Sequence, residues 1–221
     1  MKAIKIISPI IPYVAVFIGM YIFKNAWIAV GVYHLGMALI LISSGEIVPN
    51  RINFPKQKNR AYKPKLISLV LLYLFYSLTG IVLYFNLPFF NHGASLTNKL
   101  QMFGLTQANW TLFAVYFCIV NSVLEELFWR GYHESNIASL SNFKYTLPYI
   151  SKDIFFAGYH VFVLAFFASP IWLLPVFVIC FLGSVLWHQI YEITGNIRIN
   201  IITHFIADVS IVIGVSMRLF R

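Results

Sequence analysis

The stretch WTLFAVYFCIVNSVLEELFWR, from Trp110 to Arg130, decides the fold. It is apolar and aromatic over most of its length and long enough to cross a bilayer core, which takes about 20 helical residues. It closes on Glu125, Glu126 and Arg130. One charged side chain near the bilayer interior costs about 3 kcal/mol or more, so three together must face protein groups or water rather than lipid. Ionisable groups placed in this way are functional-site candidates.

The rest of the chain has the same character. Of its 221 residues 60% are hydrophobic and 18% aromatic, only 10% are charged, and the mean hydropathy is +0.78. A soluble domain is roughly 45–50% apolar. The expected fold class is therefore all-α, a polytopic transmembrane helical bundle of seven to eight spans. It forms one integral-membrane domain over 1–221. Hydropathy places spans at 6–22, 27–43, 66–86, 109–132, 153–168, 170–189 and 198–217, the fifth and sixth divided only by Ser169-Pro170. Residues 1–20 lack a small-x-small cleavage site and run on through Lys24 and Asn25 into further apolar sequence, so they read as a retained span rather than a signal peptide. Cys118 and Cys180 both fall in spans without metal-type spacing and read as small buried apolar residues.

Orientation follows from the basic residues. With a cytoplasmic N-terminus, that side receives twelve Lys and Arg, including the loop Arg51, Lys56, Lys58, Arg60, Lys63 and Lys65, against four on the other side. Arg218 and Arg221 fall on the wrong side of a seven-span arrangement, a conflict that an eighth crossing, or a C-terminal helix that does not cross fully, removes. The net charge of +9 is thus mainly topological. The loop 51–65 is expected to rest on anionic lipid head groups, with no nucleic-acid partner.

Within the spans, His160 lies in Phe156-Ala157-Gly158-Tyr159-His160, and His204 lies four residues before Asp208. Given the alternating span directions, the glutamates, His160 and the His204–Asp208 pair all fall in the cytoplasmic half of the bilayer. Residues four apart share a helix face, so His204 and Asp208 point the same way and Glu126 can pair with Arg130. Glu125 is rotated by about 100° from Glu126. This spacing predicts two jobs: Glu126 neutralised by Arg130, and Glu125 free to face the two histidine helices. The other histidines, His34, His92, His133 and His188, read as packing or interfacial residues.

Such a set suits hydrolysis. A carboxylate in an apolar pocket can take a proton from water, while histidines stabilise the developing oxyanion or hold a metal that activates the water. The cofactor expectation is accordingly open, none or zinc, with His160, His204 and Asp208 as candidate ligands.

Glu125-Glu126-Leu127-Phe128-Trp129-Arg130 resembles the Glu-Glu-x-x-x-Arg motif of the CAAX prenyl endopeptidase and bacteriocin-processing family, also called the Abi or CPBP family. Phe156 to His160 resembles its Phe-x-x-x-His motif, and His204 to Asp208 its final His-x-x-x-Asn/Asp motif. Tyr191 to Ile197 is similar to the Thr-Gly-Ser/Asn-Ile turn that leads into the last motif helix. The three motifs occur in the family's order, and the resemblance implies a peptidase-like core at about 105–215. The resemblance implies an intramembrane peptidase in which Glu125 and His160 activate water and His204 with Asp208 forms the oxyanion site, Glu126 and Arg130 supporting them. It also implies a family described both as zinc-dependent and as glutamate-dependent, and an aspartate at 208 is a better metal ligand than asparagine. The expected partner is a peptide or membrane-protein substrate, and the turn sequence is similar to that of members from the bacterial cytoplasmic membrane. Two other readings use the same residues. One is a proton or cation transporter, disfavoured by the absence of paired, Gly- or Pro-broken repeats in the sequence. The other is a non-catalytic immunity protein that sequesters a peptide.

Overall fold

The computed structural model describes residues 7–45, 71–81, 96–134, 147–194 and 196–219. These residues form eight helices and no strand: α1 (Ser8–Ile22), α2 (Ala26–Ser44), α3 (Leu71–Ile81), α4 (Leu96–Met102), α5 (Gln107–Glu134), α6 (Leu147–Leu164), α7 (Pro170–Thr194) and α8 (Ile197–Leu219). The expected basic loop 51–65, His92 and part of the expected span 66–86 lie outside the described residues.

Among the described residues, four helices are long and apolar enough to cross a bilayer: α2, α5, and the stretches Pro170–Glu192 of α7 and Ile197–Met217 of α8. Helices α1 and α3 are shorter apolar helices. The expected all-helical bundle is therefore present, and among the described residues four of its helices have crossing length. Large apolar side chains such as Leu112, Ile171 and Leu174 point outward, at 67%, 77% and 70% exposure. Polar groups are gathered inside. This inverted distribution is what hydrocarbon as solvent demands.

Local chemistry sets the helix ends. The Asn25 side chain accepts from the Ile28 N–H at 3.1 Å and caps α2, which Gly45 ends in the left-handed conformation at φ 82°. Before α5, the Asn109 carboxamide accepts from the Thr106 N–H at 2.8 Å and donates to the Gly104 carbonyl at 2.9 Å. Pro170 opens α7, where its missing N–H costs nothing. The expected break at Ser169-Pro170 is thus the turn between α6 and α7.

One boundary differs markedly from expectation. Helix α6 begins at Leu147, six residues before the expected span 153–168, and it ends at Leu164. The expected span leaves Lys152 outside and has Asp153 as its first residue, yet the structure buries both within the helix, at 3% and 0% exposure. Partners on α5 and α7 make that possible.

The register of α5 against α8 positions the centre of the molecule. The Trp110 indole N–H donates to Ser216 Oγ at 2.8 Å, Asn121 Nδ2 donates to Asp208 Oδ2 at 3.2 Å, and Glu126 Oε1 meets His204 Nδ1 at 2.7 Å. Positions rising along α5 meet positions falling along α8, so the two helices run antiparallel with the glutamates opposite His204 and Asp208. Helix α3 approaches α8 through glycine: a Cβ on Gly80 would collide with the Ser210 carbonyl, and one on Gly214 would lie 2.8 Å from the Gly80 carbonyl oxygen. Close backbone contact through small residues is a common way for helices to associate in lipid.

Candidate active site

Helix α5 is not uniform. It is π-helical over Phe117–Asn121, α-helical over Ser122–Glu126 and π-helical again over Leu127–Glu134. Single wide turns of this kind occur often at functional sites, where they rotate side chains away from regular 3.6-residue spacing. Between these two wide segments, Glu125 and Glu126 are buried at 1% and 0% exposure.

The two carboxylates straddle the His204 ring. Glu126 Oε1 lies 2.7 Å from Nδ1, while Glu125 Oε2 and Asp208 Oδ1 lie 3.8 and 3.7 Å from Nε2. A carboxylate can only accept, so a neutral His204 holds its hydrogen on Nδ1 and turns Nε2 towards Glu125 and Asp208. The ring itself is fixed from α7, stacked on Trp187 at 4.5 Å between centroids. Trp187 in turn donates its indole N–H to Thr203 Oγ1 at 2.9 Å, and its carbonyl accepts from Asn200 Nδ2 at 2.8 Å.

The expected division of labour between the glutamates needs correction. Arg130 does pair with Glu126, Nη1 to Oε1 at 3.2 Å with both groups fully buried. Glu126, however, also holds His204, and more closely than Glu125 does, because adjacent residues on a short α-turn can grip both edges of one imidazole. Arg130 is held further by Ser184, its Nη2 donating to Oγ at 3.0 Å, and its guanidinium lies over the Phe156 and Trp187 rings at 4.7 and 5.1 Å.

His160 joins the cluster indirectly. Its Nδ1 donates to the Phe156 carbonyl at 2.8 Å, and its Nε2 faces the Tyr159 hydroxyl at 3.2 Å. That hydroxyl also forms a short hydrogen bond with Glu125 Oε1. Glu125 Oε2 is buried without a hydrogen-bond partner among the described residues. Gly158 leaves room beside His160 for the Tyr13 hydroxyl from α1, which donates to the Phe155 carbonyl at 2.9 Å.

The structure thus gathers Glu125, Glu126, Arg130, His204 and Asp208 directly and links His160 through Tyr159. The candidate metal set is not assembled. Among the described residues no three His, Cys, Asp or Glu side chains are placed to hold a metal ion. In particular, His160, His204 and Asp208 do not converge, since both His160 nitrogens and His204 Nδ1 are already turned to protein partners.

Two features escape the sequence reading. His34 is not mere packing: its Nε2 lies 3.3 Å from Asn121 Oδ1 and its Nδ1 2.9 Å from the Tyr116 hydroxyl, and Asn121 holds Asp208. His188 is not interfacial either. It is buried, with Nδ1 3.1 Å from Glu134 Oε1, in a second charged cluster where Lys152 bridges Glu134 at 2.5 Å and Asp153 at 3.0 Å. Asp153 accepts from Ser184 at 2.5 Å, which connects this cluster to Arg130. The available signals were Glu134 four residues after Arg130 and the charged pair Lys152-Asp153 at the edge of an apolar run. His133, buried beside Ser8 Oγ at 3.3 Å, is a packing residue as expected.

An all-helical bundle that turns apolar side chains outward and encloses paired carboxylates and histidines defines an integral membrane protein with a polar intramembrane centre. Residues 107–210 match the family model described as Rce1-like, type II CAAX prenyl endopeptidase Rce1-like. This stretch carries all three motifs, and the class of activity that the match implies is that of a CAAX-type intramembrane protease. Comparison with curated proteins and with solved structures found no match.

Proposed function

We propose that the protein is an endopeptidase that hydrolyses a peptide bond of a membrane-associated peptide or protein, using water activated by Glu125 in the cytoplasmic half of the membrane. The observation that carries this reading is the pairing of Glu125 Oε2, buried without a hydrogen-bond partner, with His204 Nε2 3.8 Å away. A carboxylate oxygen and an imidazole nitrogen at that separation can address opposite ends of one reaction. Water bound against Oε2 attacks the scissile carbonyl carbon as its proton passes to Glu125. The carbonyl π electrons move to oxygen, and a protonated His204 donates Nε2–H to that oxyanion. Glu125 then returns its proton to the departing amine. Glu126 and Asp208 hold His204, and Arg130 balances Glu126 charge.

No step here passes through a metal, since the candidate ligands do not converge. The test is cleavage of a quenched fluorogenic peptide library, with prenylated and unprenylated cysteine members, by purified protein in liposomes and in H2-18O. The expected result is one 18O atom in the new carboxyl terminus and turnover that survives a chelator with no metal bound. Stoichiometric zinc whose removal abolishes turnover would instead establish the metal-dependent reading. Ion flux across the liposomes without any cleavage would establish the transporter reading.

A further inference from the structure

We infer that Tyr159 is a positioning residue of this reaction, a single hydroxyl that ties Glu125 to His160 and shifts its hydrogen bond between them as Glu125 changes charge. The inference rests on the reading of Glu125 as the base. It begins with a count of hydrogens. The Phe156 carbonyl can only accept, so the hydrogen of a neutral His160 sits on Nδ1, 2.8 Å from that oxygen, and Nε2 is left as an acceptor. Nε2 then faces the Tyr159 oxygen at 3.2 Å, and Glu125 Oε1 faces the same oxygen from the other side. Two acceptors therefore share one O–H.

Charge decides which acceptor holds it. An ionised carboxylate makes the stronger, charge-assisted bond, so the resting hydroxyl donates to Glu125 Oε1. That occupies Oε1 and leaves Oε2 as the oxygen that meets water. As the water O–C bond forms and its proton arrives on Oε2, Oε1 loses its negative charge and His160 Nε2 becomes the better acceptor. The Tyr159 hydrogen then swings to His160 while staying bound to its own oxygen, so no proton is gained or lost at Tyr159. When Glu125 gives its proton to the leaving amine, the hydroxyl swings back. The ring cannot drift meanwhile: it is 4% exposed, lies parallel to Trp129 at 6.2 Å and packs beside Tyr33 at 5.5 Å.

The experiment is Tyr159→Phe, which removes the hydroxyl and keeps the ring, assayed on a fluorogenic library peptide beside wild type and Glu125→Gln. Expected is a fall in kcat of about tenfold to a hundredfold with KM little changed, the range of one hydrogen bond to a charged group. Turnover in mixed H2O and D2O should give a bowed dependence for wild type, since the water, His204 and Tyr159 hydrogens all change their bonding, and a less bowed one for Tyr159→Phe, which lacks one of them. A folded Tyr159→Phe with wild-type kcat and the same bowed dependence overturns the inference while leaving the role of Glu125 intact. Full activity in Glu125→Gln overturns both. If Tyr159→Phe does not fold, fluorotyrosine at 159 replaces it: a kcat that follows phenol acidity supports the inference, and an unchanged kcat overturns it.

Discussion

At the scale of single residues, the site is a balance of buried charges held by very few partners. Glu126 is compensated by Arg130 on its own helix and by His204 on α8, and neither carboxylate oxygen is exposed to water. Removing Arg130 leaves Glu126 uncompensated in a dry interior, and breaking a buried pair from one side typically costs about 3–5 kcal/mol. Arg130→Ala is accordingly expected to lower the thermal midpoint and the yield of the detergent-solubilised protein, read by thermal unfolding. A midpoint equal to wild type would show that Arg130 does not hold the site. Each glutamate keeps a buried Oε2 without a hydrogen-bond partner among the described residues, but that of Glu125 lies 3.8 Å from His204 Nε2 while its Oε1 is committed to Tyr159, an arrangement suited to a base.

Among the elements, α6 shows how far sequence reading reaches. Its apolar second half and the motif ending in His160 are legible from the chain. Its first half is not, because Lys152 and Asp153 are held there by Glu134 and Ser184, residues distant in sequence. Angular reasoning on α5 reaches a similar limit. The Glu126–Arg130 pair follows from four-residue spacing, but the approach of both glutamates to His204, from a short α-turn flanked by π-helical segments, is a meeting of distant helices that no periodicity reveals. Tyr159 is hidden for another reason: neighbours on a helix diverge by about 100°, so nothing in Tyr159-His160 shows that a hydroxyl and a ring nitrogen from consecutive residues meet. The second cluster makes its own prediction. Lys152→Met strips two buried carboxylates, Glu134 and Asp153, of their shared cation, so the thermal midpoint should fall as for Arg130→Ala. Retention of wild-type stability would mean that this network does not anchor α6.

For the whole molecule, the matched domain at 107–210 is only part of what encloses the site. Helices outside it contribute Ser8 to His133, Tyr13 to the Phe155 carbonyl on the helix that carries His160, and His34 to the asparagine that holds Asp208. The apolar exterior faces lipid, and the polar interior concentrates on one carboxylate oxygen. The measurement that tests this account most directly is turnover of the purified Glu125→Gln protein in liposomes on a peptide that wild type cleaves. The substitution keeps size and removes the base, so a protein that unfolds at the wild-type temperature and cleaves nothing above background is the predicted result. A folded Glu125→Gln protein that cleaves at the wild-type rate would contradict it.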